Sequence, residues 1–215
     1  MTRRDAVELL LAISAAGLAP SIAWADGTDG LGVGPYSSMH AILEKTIFNF
    51  DVIDLTVRVD QATATELEHI VKGHKYSDRL AVDVVSAALH ATNASAAQQF
   101  LRDFERDDFV RGVQAEVGRA YDARLIDQNE YSTVYWGFPR WFSFLGKRGV
   151  KRGDKLFERG GASGLHSVYV DKDGKTQMEM TLDGTSHTKT LLATYLAPGN
   201  ELREPLVRSL FDAAS

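Results

Sequence analysis

Cysteine is absent from the 215 residues, which excludes disulfides, a thiolate nucleophile, iron–sulfur centres and any cysteine zinc site. An excess of positive charge is absent too. The 24 Lys and Arg face 29 Asp and Glu, for a net charge of -5, and that balance argues against nucleic acid as the main partner. The mostly apolar stretch from Ala6 to Leu18 falls short of the roughly 20 residues that span a bilayer. The six histidines, His40, His69, His74, His90, His166 and His187, form no H-E-x-x-H or other ligand spacing, so neither a metal site nor a cofactor is expected. The nucleophile elbow of serine hydrolases, G-x-S-x-G, is missing as well: Gly161-Ala162-Ser163-Gly164 is one residue too short and reads as a turn. What is present is ordinary for a globular chain, with 44% hydrophobic and 25% charged residues. Wholesale disorder is thereby excluded, and the length suits one domain with processed ends.

Residues 1–25 read as a secretory signal peptide. Arg3 and Arg4 form a positive start, the apolar stretch follows, and Ala23-Trp24-Ala25 is an A-x-A cleavage site. Cleavage removes Arg3, Arg4, Asp5 and Glu8 and leaves the net charge unchanged. A periplasmic or secreted protein is expected. Residues 26–38 read as a flexible linker, with Gly27, Gly30, Gly32 and Gly34. Gly30-Leu31-Gly32 fails as a phosphate loop, because no strand precedes it and no Lys-Ser/Thr pair follows. The folded domain is expected over residues 39–215.

Within that domain, Ile47 to Val59 is the clearest strand. Ile53, Leu55, Val57 and Val59 alternate with Asp54, Thr56, Arg58 and Asp60. Upstream the phase flips to Phe48, Phe50 and Val52. Either a β-bulge shifts the register, or Asn49 and Asp51 face an interior, where they need a partner, water or ligand. Helices are expected over 62–71, 78–89, 106–124, 187–195 and 201–214. Further strands are expected over 98–104, 155–159, 166–170 and 177–182. The 98–104 strand would place Phe100, Arg102 and Phe104 on one side, and Asp171-Lys172-Asp173-Gly174 makes the last hairpin turn.

Residues 131–145 are dense in aromatics, Trp136 among them, and Pro139 is expected to divide the stretch in two. It reads either as a helix packed on the sheet or as a lid over an apolar pocket. The basic run Lys147 to Lys155 reads as a solvated turn. Strands and helices in this order predict an α+β domain with an antiparallel sheet covered by helices on one side.

The segment Gly149-Val150-Lys151-Arg152-Gly153-Asp154-Lys155-Leu156-Phe157-Glu158-Arg159 resembles the part of the chalcone isomerase family that leads into its central strands. Thr188 to Leu196, followed by Arg208-Ser209-Leu210, resembles the family's small-residue helix and ending. Phe100-Leu101-Arg102-Asp103-Phe104 resembles its aromatic–x–Arg–Asp strand, and Phe48-Asn49-Phe50-Asp51-Val52 its first pocket-lining strand. The resemblance spans roughly 40–212 and is strongest to the bacterial chalcone-isomerase-like branch.

This resemblance implies an open-faced β-sandwich with a ligand cleft between the sheet and a helical layer. It implies two kinds of function: cyclisation of chalcones, or non-catalytic binding of fatty acids through an Arg and a Tyr. The family's enzymes carry an Arg upstream of the first strand. The matching stretch near Met39 and His40 has none, so an oxyanion would lose its main positive charge.

Non-catalytic binding of a fatty acid or similar amphipathic molecule is therefore the leading expectation. Arg102 is the candidate carboxylate anchor, with a framework ion pair as the other reading of that residue. Asn49, Phe100 and Trp136 are the further candidate contacts. The alternative is an isomerase of the intramolecular lyase type, with Asp51 as general base and Thr188 at the position of the family's Ser or Thr before the closing helix.

Overall fold

A computed structural model describes residues 38–45 and 50–214, with the backbone alone at 44, 45, 50 and 51. The expected signal peptide, the linker up to residue 37, and Asn49 lie outside the described residues. Among the described residues the chain forms a six-stranded antiparallel sheet and six α-helices. The order is β1 (Ser38–Lys45), β2 (Phe50–Val59), α1 (Gln61–Val71), α2 (Asp78–Ala88), β3 (Ala94–Phe100), α3 (Arg106–Asp122) and α4 (Gln128–Trp141). Then come a 3-10 turn (Ser143–Leu145), β4 (Lys155–Gly161), β5 (Gly164–Val170), β6 (Thr176–Leu182), α5 (His187–Leu196) and α6 (Arg203–Ala213). The strands pair in chain order throughout. This is the α+β, open-faced arrangement expected, with the helices against one side of the sheet.

Period-two alternation decides which side is covered. Leu55, Val57, Ala94, Ala96, Phe100, Leu156, Leu165 and Tyr169 share the inner face by register and are buried. Helix α5 lies across β3, β4 and β5, α3 packs on α4 and α5, and α6 packs on β1. The approach of α5 is close at Gly160, where an added Cβ would fall 2.7 Å from both Cα and Oγ1 of Thr188. Only a residue without a side chain admits the helix there.

The helices start where side chains satisfy their free amides. Asp60 accepts from Thr63 N at 3.0 Å to cap α1, and from Thr92 N and Asn93 N, each at 2.9 Å, it ties the start of β3 to the same point. Asp127 and Glu130 make a reciprocal capping box at the start of α4, at 2.9 and 2.8 Å.

The bulge reading of the phase flip holds. Leu43 lies opposite Ile53 and Glu44 opposite Asp51, so Val52 is the extra residue of β2. The preceding partner strand, β1, was not expected; its inner residues Met39 and Ala41 are buried.

Three expectations need correction. The strand expected over 98–104 is β3, which begins at Ala94 and ends at Phe100. Beyond Phe100 the chain leaves the sheet. Leu101 N donates to Val52 O at 2.9 Å, and Phe104 forms an isolated bridge with Val150. Arg102 therefore shares no strand face with Phe100. Second, Pro139 does not divide the aromatic stretch: α4 runs through it to Trp141. Proline deprives Tyr135 O, four residues earlier, of its helical donor, and Gln114 Nε2 donates to that carbonyl at 2.9 Å instead. Arg106 caps the same helix end, donating to Pro139 O at 2.5 Å and Phe142 O at 3.2 Å.

Third, the basic run is not wholly solvated. Arg148 grips the fully buried Asp154 with two hydrogen bonds, at 2.6 and 2.7 Å. Asp154 also accepts from Tyr169 Oη, Lys151 N and Lys172 N. Burial alone would raise its pKa, but these donors outweigh it and hold the carboxyl below its ordinary value.

Candidate functional site

The inner face of the sheet carries polar side chains at its centre, where apolar residues surround them. Gln98 of β3, Glu158 of β4 and Ser167 of β5 all belong to it, and Glu158 and Ser167 are direct cross-strand partners. Above them stands Tyr195 of α5. Its hydroxyl donates to Glu158 Oε2 at 2.8 Å and accepts from Gln98 Nε2 at 2.7 Å. Gln98 Nε2 also reaches Glu158 Oε2 at 3.5 Å. Burial raises the pKa of Glu158, and the donors Tyr195 and Gln98 offset that only in part. The neutral, proton-bearing carboxyl is thereby favoured over its ordinary balance. Burial also pushes the Tyr195 phenol well up, aided by the Glu158 carboxylate.

This polar centre lies between two cavities. The inner one, of about 50 Å³, lies between the sheet and α3, α4 and α5. Its walls are mainly apolar, including Val113, Val117, Phe138, Trp141, Leu165 and Met180, and Glu158, Ser167 and Gln98 line it too. The outer one is a cleft of about 880 Å³. Leu43, Val52, Ile53, Phe104, Phe109 and Val113 give it apolar walls, and Tyr195 lines it as well. Gln98, Val113 and Thr194 border both spaces. Charged side chains ring the outer cleft, several in pairs: Lys151 with Asp103 at 2.9 Å, Arg119 with Glu116 at 2.5 Å, and Arg111 with Asp108.

The residues singled out from the sequence do not converge on one point. Arg102 is exposed, in the segment after β3, and lines the outer cleft. Phe100 is completely buried in the aromatic core, where its ring stacks on Tyr169 with centroids 5.9 Å apart. Trp136 is 71% exposed and touches Tyr135 edge-on at 4.9 Å. Thr188 is buried against Gly160, its hydroxyl without a hydrogen-bond partner among the described residues, and it borders neither cavity. Asp51 lies beside the bulge, with only its backbone described. The aromatic stretch is a helix in the layer over the sheet, and Phe138, Trp141 and Phe142 from it wall the inner cavity.

Sequence reasoning missed Glu158, Ser167, Gln98 and Tyr195. A signal for two of them was available. Glu158 stands two residues after Leu156, and Ser167 lies between Leu165 and Tyr169 at the same spacing, so each shares a face with core residues.

No family model matches the chain, and no curated protein matches it. Among solved structures, it is similar to the crystal structure of a fatty-acid binding protein from Arabidopsis thaliana. The identity is 13% and the TM-score 0.49, over 86% of this chain and 93% of that one.

Proposed function

We propose that this chain is an exported, non-catalytic binder of a fatty acid or a similar amphipathic small molecule, of the chalcone-isomerase-like kind. The observation that carries the reading is the outer cleft. Its volume of about 880 Å³ falls within the range of about 300–1,000 Å³ typical of small-molecule sites. Apolar walls from β1, β2 and α3 suit a hydrocarbon chain, and Arg102 lines the same space, where a guanidinium can hold a carboxylate by two hydrogen bonds. The signal-like first 25 residues support export.

The test begins with mass spectrometry of molecules extracted from the mature protein, purified without detergent. A stoichiometric amphiphile is expected. After delipidation, stearate should rebind, and Arg102→Ala should weaken that binding about tenfold, roughly 1.4 kcal/mol, with little change in melting temperature. A protein that comes out empty and takes up no stearate ends the reading. Unchanged affinity with a large loss of stability returns Arg102 to a framework role.

A further inference from the structure

Two oxygen atoms on residues that line the inner cavity accept or donate no side-chain hydrogen bond among the described residues. Both hydrogen bonds to Glu158 fall on Oε2, so Oε1 is left for the cavity that this residue lines. Ser167 Oγ, on the facing strand position, makes no side-chain hydrogen bond among the described residues, although the residue is 4% exposed. Glu158 is half-buried, and oxygens that open onto such a space are met by water or by a ligand. The volume of about 50 Å³ exceeds the roughly 10–15 Å³ that a single water requires, so a group of a few atoms can enter.

The lining decides what kind of group fits. Among the described residues bordering the cavity there is no Arg, Lys or His, and Glu158 is the only titratable one. An anionic head would therefore be buried without a counter-charge, beside a carboxyl. A plain hydrocarbon end would leave both oxygens unmatched. A neutral oxygen function satisfies both constraints. A hydroxyl both donates and accepts, and a carbonyl accepts from a protonated Glu158 or from Ser167. Gln98, Val113 and Thr194 border both spaces and form the partition between them, so a molecule in the outer cleft reaches inward where these side chains swing aside.

We propose that the inner cavity is a subsite for a neutral oxygen group, carbonyl or hydroxyl, carried by the bound amphiphile away from its charged end, and that Glu158 Oε1 and Ser167 Oγ hold it. The inference rests on the cleft-binding reading above and adds the ligand's class: an oxygenated acid in place of a plain fatty acid. Glu158 and Ser167 are then the specificity-determining residues, since a site built to hydrogen-bond a buried group rejects an analogue that lacks it.

The experiment titrates the delipidated mature protein with stearate and with a series of keto and hydroxy stearates that walks the oxygen along the chain. At least one member should bind about tenfold or more tightly than stearate. Whether the keto or the hydroxy form leads identifies the group. Ser167→Ala and Glu158→Met should each shrink that advantage, taken as the ratio to stearate on the same variant, to less than about threefold. Melting curves on both variants establish that they fold, and either one suffices for the comparison. Equal affinity across the series in the wild type overturns the inference and assigns the cavity to water, with the cleft reading intact. An advantage that survives both substitutions overturns it too. Failure of every probe, stearate included, removes the cleft reading along with it.

Discussion

Glu158 and Asp154 show how two carboxylates on one strand and its approach are driven in opposite directions. Asp154 receives two hydrogen bonds from Arg148 and three more from other donors, so it stays ionised although fully buried. Glu158 has a phenol and an amide for company and, among the described residues, no cation hydrogen-bonded to it. The consequences for stability have opposite signs. Asp154 contributes stabilisation that is present above the ordinary aspartate value and is lost as pH falls through its depressed one. Glu158 has a raised value in the folded chain. Stability linked to it is complete below the unfolded glutamate value of about 4.3 and declines as pH rises through the folded value. Glu158→Gln removes that decline. Its unfolding free energy, from urea melts, should therefore gain on the wild type from about pH 4 up to the folded value of Glu158 and hold level beyond it. A gap that stays constant across the series would mean that Glu158 is as easily ionised folded as unfolded. None of this was legible from residue types alone. The sequence shows an Asp and a Glu four positions apart, but the partners that separate them come from β3, β5, α5 and the approach to β4.

At the scale of elements, most of the structure could be read in advance. Helices α1, α2, α3, α5 and α6 and strands β4, β5 and β6 fall within a few residues of where periodicity and turn residues put them. The bulge in β2 was visible as a change of phase. The misreadings have local causes. In β3 the inner face before Phe100 is Ala94, Ala96 and Gln98, small or polar residues that give almost no alternation signal, while the aromatics Phe100 and Phe104 drew the strand too far along. In α4, proline statistics argued for a break, and a side chain from another helix removed the need for one. That repair is testable by a double-mutant cycle. Gln114→Leu should cost about 1 kcal/mol, because it leaves Tyr135 O without its donor. In a Pro139→Ala background the helix supplies its own donor, and the same substitution should cost measurably less. Equal costs in the two backgrounds, from chemical denaturation, would show that Gln114 contributes by packing alone.

For the whole molecule, the sheet and its helical cover create the candidate site jointly. Each strand from β3 to β6 delivers side chains to the inner cavity, and α3, α4 and α5 close it from above. The general architecture was legible because it follows from the number and order of amphipathic elements. The site was not, because it depends on cross-strand register: Glu158 meets Ser167 only through the pairing of β4 with β5. A polar residue on an apolar face was the available clue, and its meaning required knowing which helix lies over it.

Strand pairing in chain order also bears on how the chain reaches this state. Strands β4, β5 and β6 are joined by short turns, so their contacts close small loops. Strands β2 and β3 must wait for α1 and α2, and β3 and β4 for α3 and α4, before they meet. Closing the longer loops costs more chain entropy, and non-local pairings of this sort slow folding. The C-terminal meander is thus the expected nucleus, onto which the earlier strands are added from one side. Pulsed hydrogen exchange during refolding should find amides within β4–β6 protected before those in β2 and β3, and the reverse order would rule that route out. The order of assembly has a corollary for the inner cavity. Its floor from β4 to β6 is laid down first, while Gln98, on the last of its strands to dock, completes the polar centre only when the two parts of the sheet join.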